Sequence, residues 1–442
     1  MAEENSRVYK LFSKFLTLLG TVELLSAFFV TSYIYKFWNL RPVSYRIVSV
    51  DSIVLKYLSC SVVLGLITLF FGVYLSKKRK EIFYSISILF VFISVLVLTD
   101  RLILVKFGLP PWIPDTRRHY KNRPYLKGIY KAKTWKGEII NAVSRTNRYG
   151  YQDDDFSQRK PKGELRGVML GDSAALGYGV DPSDTYSNQL EKMLRKADKK
   201  YRTYQIINTG VAGYSTFQEY YVFKEALKFK PDFVTLGFSM NDIVEPFLVN
   251  TDFGGAGFDY HHVRQSANPL IGYLLNETGL GRLIQRLNPP PDLVTKNIGT
   301  IKEAAMYSDT DPRFITAWKR ILNDLSKIYR LADDNHIKII LLIFPCTYQL
   351  GDIHAQVPQK ILINNAKKHN VDVIDFTKVF ESIVSRSLVY EKGSSKKEMN
   401  TLANKEIEKY YLDTDHFSEE GHRVVALRLL KLLTKDKRIK KK

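Results

Sequence analysis

An apolar run, Val168-Met169-Leu170, stops at a small polar turn, Gly171-Asp172-Ser173. A buried strand that ends in a tight turn can hold a serine hydroxyl at the carboxyl edge of a parallel sheet, where open α/β folds place their ligands. Ser173 is therefore a candidate nucleophile. Far downstream stands Asp413-Thr414-Asp415-His416. The His416 imidazole titrates near working pH, so it can take a proton from a serine hydroxyl and pass it to a leaving group. Asp413 sits three residues before His416, and on a turn that spacing lets its carboxylate hydrogen-bond the ring and fix the tautomer. Asp415 competes for the same role, although adjacent side chains tend to diverge. A nucleophile, a base and a group that orients the base are three parts of an acyl-transfer site. The remaining part is a set of donors aimed at the oxyanion. Two further blocks follow apolar runs: Asn208-Thr209-Gly210-Val211-Ala212-Gly213 and Asn241-Asp242.

These four blocks, in this order, resemble the SGNH (GDSL-type) hydrolase family, over roughly the last two-thirds of the chain. The resemblance implies a catalytic set of Ser173, Asp413 and His416, and its Asp-x-x-His pattern favours Asp413 over Asp415. It also implies an oxyanion hole made of the backbone N–H of Ser173, the backbone N–H of Gly213 and the side-chain amide of Asn241. Gly210 could compete with Gly213, but the family's alignment of the block places the donor at Gly213. Asn208 and Asp172 are expected to brace loops, as is Asp242 unless it sits near the cleft mouth. The third block departs from the family's usual Gly-x-Asn-Asp, with Ser239 two residues before Asn241 and the glycine displaced to Gly237. The chemistry implied is ester hydrolysis without a cofactor or a metal.

Elements to position these residues are legible. From Arg166 onward, apolar runs at Val168–Leu170, Gln205–Ile207, Phe233–Phe238, Ile337–Phe344 and Val371–Ile374 predict strands. Helical patterns at Tyr186–Lys196, Phe217–Lys228, Phe314–Asp333 and Pro358–His369 lie between or beside them. Such alternation predicts an α/β domain with a parallel sheet and helices on both faces, which the resemblance refines to a flavodoxin-like three-layer fold. A last helix, Glu419–Leu433, starts after Ser418 as its N-cap, with Glu419 and Glu420 at the positive end of its dipole. A segment of about 247–312 interrupts the alternation and is expected to cap the site. It contains His261-His262, which are read as loop histidines because adjacent residues seldom point at one ion.

The amino-terminal part differs in kind. Apolar runs at about 15–38, 57–75 and 82–104 are long enough to cross a bilayer, so residues 1–107 are expected to be a membrane region with three spans. Glu23, the acidic exception in the first run, is expected to face another helix. Lys77-Lys78-Arg79-Lys80 marks the loop between the second and third runs as cytoplasmic. The amino terminus is then cytoplasmic and the large domain extracytoplasmic. Arg41 and Arg46 in the first loop, and Arg117, Arg118 and Lys121 after the third run, pull the other way. Residues 108–165 are expected to be a juxtamembrane linker, with Trp112 as an interfacial anchor, and a small β-rich lead-in that packs or acts as a lid. Residues 166–442 make the hydrolase domain.

A net charge of +21 over 442 residues could suggest nucleic acid, but the basic residues are spread thinly apart from Lys77–Lys80 and the Lys435–Lys442 tail. Two cysteines, Cys60 and Cys346, support neither a disulfide framework nor a metal cluster. The leading expectation is a membrane-anchored serine esterase acting on O-acyl or O-acetyl groups of a cell-envelope glycan or lipid. An O-acyltransferase built on the same acyl-enzyme is an alternative, as is a glycan-binding scaffold without turnover.

Overall fold

The structure is a computed structural model that describes residues 11, 14–21, 46–47, 63, 65–68, 70, 94–100, 102–104, 111–115, 117–197, 200–243, 274–275, 277–287, 302–308, 310–388, 403 and 405–435. The chain forms two compact units, one of residues 1–111 with 266–289 and one of 112–265 with 290–442. The three expected spans lie for the most part outside the described residues, as do Lys77–Lys80 and His261-His262. Among the described residues no helix is long and apolar enough to cross a membrane.

In the larger unit the chain begins with two antiparallel hairpins. Strands β1 (Trp112–Asp115) and β2 (His119–Asn122) make the first, β3 (Lys127–Lys133) and β4 (Ile139–Arg145) the second. Trp112, expected as a membrane-interface anchor, packs edge-on against Tyr120 with ring centroids 6.3 Å apart. Beyond the hairpins, Tyr149, Tyr151 and Phe156 cluster around Phe229, so this lead-in packs on the sheet domain.

The sheet domain then alternates. In order come β5 (Glu164–Gly171), α1 (Ser173–Leu176), α2 (Tyr186–Ala197), β6 (Thr203–Asn208), α3 (Thr216–Ala226) and β7 (Phe233–Phe238). Helix α4 (Gly279–Leu287) belongs to the smaller unit, where the Leu280 N–H at its start donates to Asp100 Oδ1 at 2.9 Å. The larger unit resumes with α5 (Pro312–Asp334), β8 (Lys338–Ile343), α6 (Val357–Lys368), β9 (Asp372–Asp375), α7 (Phe376–Leu388) and α8 (Glu419–Lys435). The five-stranded sheet is parallel throughout, in the spatial order β9-β8-β7-β5-β6.

Strand β7, at the centre of the sheet, is buried at all six residues, as a parallel strand covered on both faces must be. Its alternate side chains feed two cores. Val234, Leu236 and Phe238 join Val168, Leu170 and residues of α3, α5 and α6 on one side. Phe233, Met169, Ile340 and Leu342 join α2, α7 and α8 on the other. The result is three layers, helix–sheet–helix. Connections from β5 run toward β6 and those from β7 toward β8, so the switch of direction falls between β5 and β7. Ligands in such sheets bind outside the carboxyl ends of the strands at that point.

Candidate active site

Strand β5 delivers Ser173 through a sharp reversal. Gly171 has φ +151, and a Cβ there would lie 2.6 Å from the Ala175 Cβ and 3.1 Å from the Gly237 carbonyl. Only glycine lets the chain turn in that space. Asp172 then caps the four-residue helix α1, accepting the Ala174 N–H at 2.9 Å. This leaves the Ser173 N–H at the amino end of α1, where backbone donors lack intrahelical acceptors.

His416 arrives on a closed loop between Tyr411 and Phe417, which form an antiparallel bridge. The Leu412 N–H donates to the His416 carbonyl at 2.8 Å, and the Thr347 N–H, just beyond β8, donates to Thr414 at 2.9 Å. The β3–β4 hairpin holds the loop from outside. Trp135 donates its backbone N–H to Leu412 at 2.9 Å and its indole N–H to Tyr411 at 3.2 Å. The Tyr178 ring lies against the imidazole, with centroids 4.4 Å apart.

Within this frame His416 Nε2 lies 2.9 Å from Ser173 Oγ. Its Nδ1 lies 2.8 Å from Asp413 Oδ2, and its backbone N–H also donates to Asp413 Oδ1 at 2.8 Å. With Nδ1–H directed at Asp413, Nε2 is the acceptor of the serine proton. Asp415 keeps one oxygen 3.7 Å from Nδ1, but its other oxygen is 2.7 Å from Lys302 Nζ.

The expected oxyanion donors stand at the ends of neighbouring strands. Gly213 follows β6 at φ +75, and Asn241 lies in the 3-10 turn Met240–Ile243 after β7. Gly210, the competing donor, gives its N–H to Asn208 Oδ1 at 3.0 Å and presses on the backbone of α1, where a Cβ would meet the Leu176 nitrogen at 2.3 Å. The Asn241 amide gives one N–H to Asp172 Oδ2 at 3.0 Å, and its second N–H remains to be directed elsewhere. Ser239, which departs from the expected glycine, donates its hydroxyl to Asp172 Oδ1 at 2.9 Å, and its backbone N–H goes to Asp242 Oδ2 at 2.9 Å. Asp172 thus ties the nucleophile turn to the third block, and Asp242 braces that block from within. Asn208 ties the second block to α1, with its Nδ2 3.0 Å from the Ala175 carbonyl.

Electrostatics suit proton transfer. Burial alone would lower the His416 pKa, but the hydrogen bond to Asp413 and the charges of Asp415, Asp413 and Asp172 raise it above the ordinary histidine value. Burial raises the Asp172 carboxyl against the pull of its three donors. Oxygen and nitrogen atoms of Asp413, Asp415 and His416 lie within 4.8 Å of one another, the reach of a metal site. In this arrangement Asp413 is engaged by the imidazole and Asp415 by Lys302 and by the Thr414 hydroxyl.

The structure thus brings Ser173, His416 and Asp413 into hydrogen-bonding reach, while Asp415 stays 3.7 Å from the imidazole and bonds Lys302 instead. Tyr178, Trp135 and Lys302 were not singled out in the sequence. Each belongs to an element distant in the chain from the His416 loop, and no local pattern announces the contact. Gly-Tyr-Gly around Tyr178 marks a tight bend: a Cβ on Gly179 would fall 2.3 Å from Leu412.

Residues 169–424 match the family model described as GDSL-like Lipase/Acylhydrolase family. Solved structures similar to the chain include an acetyl xylan esterase, AlAXEase, at 14% identity, covering 61% of this chain and 100% of that one with a TM-score of 0.35. A lipolytic protein of the G-D-S-L family from Veillonella parvula is 15% identical, with 62% and 100% covered and a TM-score of 0.35. The lipase/acylhydrolase from Enterococcus faecalis is 15% identical, with 61% and 95% covered and a TM-score of 0.33. A comparison with curated proteins gives no match.

Proposed function

Because the chain belongs to the GDSL-like lipase/acylhydrolase family and is a hydrolase acting on ester bonds, we propose that it is a membrane-anchored serine esterase. We take its substrate to be O-acyl groups, acetyl above all, on a cell-envelope glycan or lipid. The observation that carries the catalytic reading is the position of His416, 2.9 Å from Ser173 Oγ through one ring nitrogen and 2.8 Å from Asp413 through the other.

In this reading Ser173 Oγ attacks the ester carbonyl as its proton passes to His416 Nε2. Asp413 holds the ring in the tautomer that can accept that proton and stabilises the imidazolium that results. The tetrahedral oxyanion is received by the N–H groups of Ser173 and Gly213 and the free N–H of Asn241. His416 returns the proton to the leaving alkoxide, which departs as the alcohol and leaves an acyl-Ser173 ester. Water, deprotonated by the same nitrogen, attacks that ester and releases the acid and the serine. Anchoring is supported by the three apolar runs and the basic loop at Lys77–Lys80, which also support a catalytic domain outside the cytoplasm.

The test is fluorophosphonate labelling of the full chain in detergent, with hydrolysis of a chromogenic acetyl ester and acetate release from envelope glycan measured in parallel. Labelling and turnover that vanish together in Ser173→Ala and His416→Ala are the expected result. A folded chain that neither labels nor hydrolyses the ester overturns the serine mechanism; turnover without acetate release from glycan or lipid overturns the substrate class.

A further inference from the structure

Lys302 lies on the helical residues 302–307, ahead of α5, and reaches the active-site loop from more than a hundred positions away. Its side chain is 12% exposed and that of its partner Asp415 is 18% exposed. An ammonium withdrawn this far from water is costly unless it is paired. Here it is paired twice: Nζ lies 2.7 Å from Asp415 Oδ2 and 3.4 Å from Asn241 Oδ1.

Both partners bear on acyl transfer. Asp415 Oδ1 is 3.7 Å from His416 Nδ1, the nitrogen that Asp413 already holds at 2.8 Å. Two carboxylates therefore converge on one N–H, and a cation beside the second one limits its pull. Asn241 has its carbonyl facing Lys302 and its amide nitrogen facing Asp172 Oδ2 at 3.0 Å. Opposite charges at the two ends of the amide decide which way round it sits, and a reversed amide would aim an oxygen where a donor is needed.

We propose that Lys302 is a positioning residue for acyl transfer: its ammonium binds Asp415 and the Asn241 carbonyl together, so that His416 is governed by Asp413 and the Asn241 amide keeps its N–H edge toward the nucleophile turn. The assignment rests on the serine-esterase reading above. The titratable and charged groups that face this cluster are Asp413 and Asp415 on the loop with Tyr411 at its start, Asp172 and Tyr178 from the nucleophile turn, Cys346 and Tyr348 after β8, and His422 from α8. Cys346 and Tyr348 are held protonated by burial, which pushes the thiol up to about 12, and burial keeps His422 neutral. Asp415 and Lys302 are thus the pair whose charges a substitution can unbalance.

The experiment measures the rate of fluorophosphonate labelling and kcat/KM for a soluble acetyl ester against pH, using the full chain. In Lys302→Met the freed Asp415 carboxylate acts on His416, and the acid limb moves up by about one pH unit. In Asp415→Asn the unbalanced ammonium moves the limb down. In Lys302→Met combined with Asp415→Asn both charges are gone and the limb returns toward the wild-type position. Opposite shifts that cancel in the double variant are a signature that a purely structural role would not give, and Asp415→Asn keeps the test open should Lys302→Met fold poorly. A wild-type chain that labels with a clear acid limb, and variants whose limb does not move, overturn the role of Lys302 alone. A wild-type chain that does not label at any pH overturns the serine reading, and this assignment falls with it.

Discussion

The side-chain amide of Asn208 donates to the carbonyl of Ala175 at 3.0 Å, so the end of β6 holds the carboxyl end of the four-residue helix that Ser173 begins. A helix of that length has no stability of its own, and its orientation is set from outside. Asn208→Ala should cost about 1–3 kcal/mol through the unpaired carbonyls and the lost acceptor of the Gly210 N–H. It should also lower kcat more than it raises KM. Thermal unfolding beside steady-state kinetics checks both halves.

Asp413 and Asp415 separate cleanly by substitution. Asp413→Asn leaves the loop its shape but stabilises the wrong tautomer, and kcat should fall by about 10³- to 10⁴-fold. Asp415→Asn should stay within about tenfold at the alkaline plateau, since its carboxylate faces Lys302 rather than orienting the ring. The wild-type acid limb of kcat/KM should lie above the ordinary histidine value of 6.5, because the surrounding carboxylates raise His416. Equal losses in the two variants would contradict the assignment.

Asn241→Ala removes a donor used only when charge develops on the substrate oxygen. A fall of about 10²- to 10³-fold in kcat with KM little changed is expected. Ser239→Ala should be milder, as Asp172 keeps its bonds from Ala174 and Asn241. Burst kinetics with an activated ester separate acylation from release.

Asp153 gives a pH dependence of stability. Burial, together with the charge of Glu191, pushes its carboxyl from 3.8 up to about 8, although it accepts the Asn208 N–H at 3.3 Å. Between these values the native chain holds a proton that the unfolded chain has released, so this group's contribution to stability falls as pH rises through that window. Asp153→Asn should therefore gain in Tm relative to wild type as pH rises from about 5 to about 8.5. A gain that does not change with pH would show that the carboxyl is not the source.

Much of this was open to reading from the chain alone. The five parallel strands and the helices α2, α3, α5, α6 and α8 follow from apolar runs bounded by turns, since a covered parallel sheet writes its burial directly into the sequence. The pairing of Ser173 with His416 was legible through the resemblance, which sets the Gly-Asp-Ser turn and the Asp-x-x-His block in one site. Helix α7 was missed: it follows β9 without a turn, Asp375 running straight into Phe376. The first hairpin was missed because the stretch around Trp112 read as a juxtamembrane linker, whereas Pro114 occupies a strand paired to Tyr120. Ser239 was read as a departure from pattern, and its hydroxyl contact with Asp172 depends on a turn 67 positions away. Contacts of that separation, like those of Lys302 and Trp135, leave no periodicity to detect.

Ser173 and His416 are 243 positions apart, and that separation has a consequence for biosynthesis. Chains fold from the amino end as they emerge, so the nucleophile turn is made long before its base exists. The base is installed only when the His416 loop is pinned between β8 and the β3–β4 hairpin and α8 docks, its His422 Nδ1 accepting the Tyr186 N–H of α2 at 3.2 Å. A nascent or truncated chain lacking that closing segment carries a serine with no partner.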